Sequence, residues 1–151
     1  MRYYLDCEYN GFGGSLLALA LVPEDGGEEF YVTLACGEPI HEWVERHVMP
    51  YLDHVPEGLR SPRLGHEQAA LHLSAFLAGL SEVEIVADWP EDIRLFCDLL
   101  TIGPARIVPF PADTRFRLVR LPGFSTAANS AVPHNALHDA RSLREHFTHL
   151  E

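Results

Sequence analysis

The stretch that most constrains this chain is "SLLALALV", residues 15–22, an apolar run with a Gly-rich turn before it and "PEDGG" after it. Side chains alternate between the two faces of a strand, so a strand apolar at every position needs cover on both sides. The run is far shorter than the ~20 residues of a membrane span. It predicts a sheet sandwiched between helices. Residues 2–8 precede it across "NGFGG" and read as its antiparallel partner. Within that partner, Asp6 and Glu8 point the same way, while Leu5 and Cys7 face the other side. Two neighbouring carboxylates repel each other and are costly to bury unless something positive lies between them. A solvated edge strand or half of a metal site would both account for the pair.

Further elements follow in order. "EEFYVTL" (28–34) reads as a third strand, and the short connections make an antiparallel meander. "HEWVERHVMPYL" (41–52) reads as a helix ending near Pro50, and "HEQAALHLSAFLAGL" (66–80) as a stronger one with Ala70, Leu73, Leu77 and Leu80 on one stripe. "EVEIVAD" (82–88) is a strand and "PEDIRLFCDLL" (90–100) a helix with Pro90 at its start. "ARIVPF" (105–110) is expected as the fifth strand, residues 111–133 as a long loop, and 135–150 as the closing helix. This order predicts an α/β, ribonuclease-H-like mixed sheet of about five strands: three antiparallel, then parallel additions, flanked by helices. Residues 1–151 are expected to form one domain, with no repeat or linker to divide them.

Composition narrows the function. A formal charge of −11 argues against holding nucleic acid on a broad basic surface, but not against gripping a strand end through metal ions. Three scattered cysteines make neither a CxxC pair nor a disulfide framework, and no export signal or membrane span is evident; a cytoplasmic protein is expected. Nine histidines include no pair placed with cysteines for structural zinc.

Three stretches bear on the opening carboxylates. "IVADWPEDIRLF" sets Asp88 at a strand end and Asp92 in the first turn of the next helix. "PHNALHDARSL" sets Asp139 early in the last helix, with His134 five residues before it. Carboxylates from these elements suit two Mg²⁺ or Mn²⁺ ions, and a nearby histidine can take a proton from an attacking water.

These stretches resemble the motifs of the DnaQ-like 3′–5′ exonucleases of the DEDD group. Asp6-Cys7-Glu8 matches D-x-E. In the second motif Asp92 takes the catalytic position, and Asp88 stands where asparagine is usual. His134, Ala136, Asp139 and Ala140 match H-x-A-x-x-D-A of the histidine subtype (DEDDh), and Asn135 departs from the tyrosine subtype. The resemblance implies catalytic roles for Asp6, Glu8, Asp92, Asp139 and His134, with the four acids as ligands to two metals and His134 as general base. Asp6, Glu8 and Asp139 would hold one metal, and Asp6 with Asp92 the other.

The chain is most similar to short bacterial exoribonucleases of the RNase AS type, through Tyr9 after D-x-E, "WVERHVMPYL" and "HNALHDARSLREHF". That similarity implies a single-stranded RNA 3′ end as substrate, a preference for adenylate, release of nucleoside 5′-monophosphates, and a homodimer. A proofreading-type DNA exonuclease and a catalytically decayed, binding-only nuclease fold are the alternatives. Cys7, Tyr9, Phe12, Asp88, Arg115 and Arg117 are the candidate substrate-facing residues. "TRFRLVR" fits either an amphipathic strand or contact with RNA phosphates. Tyr9 and Phe12 could stack on terminal bases or belong to the core, Trp43 and Trp89 are expected to pack, and His138 is a decoy turned away from Asp139.

Overall fold

A computed structural model describes residues 1–150. Its five-stranded sheet runs β3-β2-β1-β4-β7, from β1 (Arg2–Tyr9), β2 (Leu16–Pro23), β3 (Phe30–Thr33), β4 (Glu82–Ala87) and β7 (Asp113–Leu118). β1 pairs antiparallel with β2, and β2 with β3, whereas β4 lies parallel to both β1 and β7. Four helices flank it: α1 (Glu42–His47), α2 (His66–Leu77), α3 (Pro90–Leu100) and α4 (Ala136–Thr148). This is the expected ribonuclease-H-like arrangement.

β2 has the two-sided cover that its sequence demands. Leu19 and Leu21 pack with Leu5, Leu73 and Phe96 on the face covered by α2 and α3. Ala18, Ala20 and Val22 pack with Val44, Leu137 and Ala140 on the face covered by α1 and α4. The register sets Asp6 opposite Ala20 and Glu8 opposite Ala18, so small residues flank both acids. The connecting turn needs left-handed backbone at Gly11 (φ 76°) and Gly13 (φ 75°), which lifts Phe12 out between them.

The fifth strand is not where it was expected. Residues 105–110 contribute only β6 (Arg106–Ile107), paired with β5 (Thr101–Ile102) in a separate ribbon. Pro104, Pro109 and Pro111 cannot donate to a ladder, which keeps this run out of the sheet. The fifth strand is instead β7, within the stretch expected to be a loop; its alternating arginines suit an edge whose outer face meets water. The helix expected over 41–52 stops at His47 and passes into a 3₁₀ turn at Met49–Tyr51, where Pro50 prevents continuation. Among the described residues, no helix is long and apolar enough to cross a membrane.

Candidate functional site

The ladder between β1 and β4 covers only Arg2–Tyr4 and Glu84–Val86. Beyond it, the C-terminal ends of the parallel strands open onto a cavity of about 550 Å³. Open α/β sheets place ligands in such a crevice. Asp6 and Glu8 enter it from β1, Asp88 from the end of β4, Asp92 from the first turn of α3, and His134 and Asp139 from the start of α4.

The donors form two groups: Asp6 with Asp88 and Asp92, and Glu8 with His134 and Asp139. In each group one ligand atom per residue lies within 4.8 Å of the others. The resemblance had shared Asp6 between two metals and left Asp88 on the substrate side; the structure sets the Asp88 carboxylate among the acids. Asp6, Glu8, Asp92 and Asp139 are each less than a tenth exposed. Burial, reinforced by neighbouring carboxylates, pushes Asp6, Glu8 and Asp92 well above the usual carboxylate range. Burial likewise raises Asp139 to about 6, although the Ser130 hydroxyl and the His134 backbone N–H pull the other way. Asp139 Oδ1 is buried without a hydrogen-bond partner. Clustered oxygen donors, a buried unpartnered oxygen and carboxylates held above their normal range fit a hard divalent cation, which would supply the missing counter-charge.

The start of α4 is tightly anchored. Asn135 caps the helix, its side-chain oxygen accepting from the Leu137 and His138 N–H groups. Its amide donates to the Tyr51 carbonyl at 2.8 Å. His134 immediately before it has a left-handed backbone, φ 61°, uncommon for a residue with a Cβ. That conformation sets its ring edge-on to Trp43, with centroids 4.9 Å apart. Burial, then the nearby His47, lowers the His134 pKa, which favours the neutral ring a base requires. His138 turns away and bonds the His54 carbonyl through Nε2 at 2.8 Å.

The other candidates separate. Cys7 borders the cavity but belongs to the core on the opposite face, with Sγ 3.8 Å from the Asp92 carbonyl. Tyr9 and Phe12 line the cavity, and Phe12 is 83% exposed. Arg115 lies toward the opposite end of β7, ion-paired with Asp113 and bordering a different cavity with Arg2, Glu24 and Glu84. Arg117 covers the Phe147 ring at 5.0 Å.

Trp43 and Trp89 correct the expectation of packing residues: they are 54% and 39% exposed and form walls of the cavity. Phe124, Ser125, Thr126 and Ala127 close another side, and nothing in their sequence singled them out. For Trp89 the signal was its place directly after Asp88, between two site carboxylates in sequence. In comparisons with known proteins, the chain matches no family model and no curated protein.

Proposed function

We propose that this protein is a metal-dependent 3′–5′ exoribonuclease that releases nucleoside 5′-monophosphates from single-stranded RNA ends. The observation that carries this is the convergence of Asp6, Glu8, Asp88, Asp92, His134 and Asp139, from separate segments, into two adjoining donor groups at one cavity. Their order along the chain is that of the DEDDh motifs, which supports the same reading.

Mg²⁺ or Mn²⁺ held by these carboxylates would supply Lewis acidity, easing formation of the attacking hydroxide and departure of the 3′-oxygen. Asp6 and Glu8 bring their charge from the sheet, and Asp92 and Asp139 bring theirs from two helix starts. The neutral His134 ring accepts the proton of the attacking water. The aromatic walls shield the reacting phosphate from bulk water, and Trp43, beside His134, offers a face for the terminal base.

The test is hydrolysis of end-labelled single-stranded RNA and DNA of one sequence with magnesium, and again with EDTA. Metal-dependent, stepwise 5′-monophosphate release from the RNA 3′ end is expected. Faster hydrolysis of DNA would transfer the activity to that substrate. Hydrolysis that persists in EDTA would overturn the metal-dependent reading, and absent hydrolysis of both would leave a decayed nuclease fold that only binds.

A further inference from the structure

Of the arginines in "TRFRLVR", Arg120 is the one that lies against a wall of the cavity, Trp89. The β4–β7 register ends with Ala87 opposite Leu118, and the Val119 N–H still bonds the Ala87 carbonyl at 2.9 Å. Arg120 therefore emerges beside Asp88 and Trp89. Its guanidinium lies 5.6 Å from the Trp89 ring centroid, and its charge acts on Asp88. It closes a row of contacts: Tyr9 to Phe12 at 6.4 Å, Phe12 to Trp89 at 6.3 Å, then Trp89 to Arg120.

We propose that Phe12, Trp89 and Arg120 bind the nucleotides upstream of the one being cleaved, with Arg120 meeting a backbone phosphate and the rings meeting bases. The proposal rests on the exonuclease reading and deepens it, by making the substrate a strand rather than a mononucleotide ester. A single strand presents flat base faces alternating with phosphates, and exposed rings followed by a guanidinium present the complement. Two observations favour that occupant. Phe12, held between two left-handed glycines, keeps most of its ring in solvent, which a packing role would not require. A cation against the Trp89 wall of a cavity lined by carboxylates, in a chain of charge −11, supplies an attraction that an approaching polyanion otherwise lacks.

The experiment measures kcat/KM on a short oligoadenylate and on the p-nitrophenyl ester of adenosine 5′-monophosphate, which has no upstream nucleotide, across a salt series with magnesium. Arg120→Ala should lose about tenfold on the oligonucleotide relative to the ester, and its log–log salt slope should become shallower by about 0.7. Arg120→Lys should restore most of the slope. Phe12→Ala should lose roughly five- to a hundredfold on the oligonucleotide without changing the slope, because stacking carries no charge. An unchanged slope in Arg120→Ala, or equal losses on both substrates, overturns the proposal while leaving the exonuclease reading intact. Failure of the unsubstituted enzyme to hydrolyse either substrate overturns both.

Discussion

Replacing Asp139 by asparagine should stabilise the metal-free protein while removing a ligand of the proposed metal centre. Folding raises this carboxyl from 3.8 to about 6. The folded state therefore holds the proton more tightly than the unfolded chain, and this group's contribution to stability falls as pH climbs from 3.8 through about 6. At ~1.4 kcal/mol per pKa unit, the charged carboxylate costs about 3 kcal/mol near neutrality and above. The cost shrinks to about 1 kcal/mol by about pH 4.5, where most of the folded protein carries the proton. Asparagine keeps the shape without the charge, so Asp139→Asn should gain up to about 3 kcal/mol at about pH 8, roughly 6–12 °C in Tm. The measurement is thermal and urea unfolding of both proteins in EDTA at about pH 4.5 and about pH 8, repeated with magnesium, which should stabilise the unsubstituted protein more. A variant that is no more stable at the higher pH, or a gain that does not shrink on acidification, would refute this electrostatic account of Asp139.

Three more outcomes are expected. Asp6→Ala and Glu8→Ala should each abolish hydrolysis yet remain folded, since removing one of several crowded carboxylates relieves repulsion; circular dichroism with the RNA assay tests both halves. Asp92→Asn should be far more damaging than Asp88→Asn in the same assay, because Asp92 is buried (3% exposed) beside Asp6 whereas Asp88 is partly exposed and near Arg120; the reverse order would make Asp88 the principal ligand. His134→Ala should slow single-turnover cleavage by roughly 10²–10⁴-fold, and the unsubstituted enzyme should lose rate as pH falls through a value below 6.5, where the ring gains its proton. His138→Ala should be almost silent, and equal small effects at the two histidines would remove His134 as the base.

The parts legible in the sequence were those fixed by short-range geometry. The apolar run of β2 could be satisfied only by cover on both faces, and the alternation of β1 put Asp6 and Glu8 on one side whatever surrounded them. Asp92, His134 and Asp139 were picked out through their resemblance to exonuclease motifs, and the structure sets each of them at or just before a helix start. What stayed hidden depends on distant partners. β7 alternates arginine with apolar residues amid loop-like composition, and only its pairing with β4 makes it a strand. Trp43 and Trp89 are large and apolar, which ordinarily means packing; that they wall a cavity depends on how α1 and the end of β4 sit around it. Position along β7 then separates Arg120, which follows the strand and lies on Trp89, from Arg115, which sits toward the other end of the sheet.

The central position of β1 has a kinetic consequence. Its hairpin with β2 closes through a short turn and can form early, while Asp6 and Glu8 still face water. The charges that oppose them, on Asp92 and Asp139, arrive only when α3 and α4 dock from much later in the chain. If α3 and α4 dock after the rate-limiting step, repulsion among these acids is felt only late in folding. It should then accelerate unfolding and leave the folding rate nearly untouched, and a divalent cation bound at the proposed site should slow unfolding without hastening folding, as stopped-flow kinetics with and without magnesium would show.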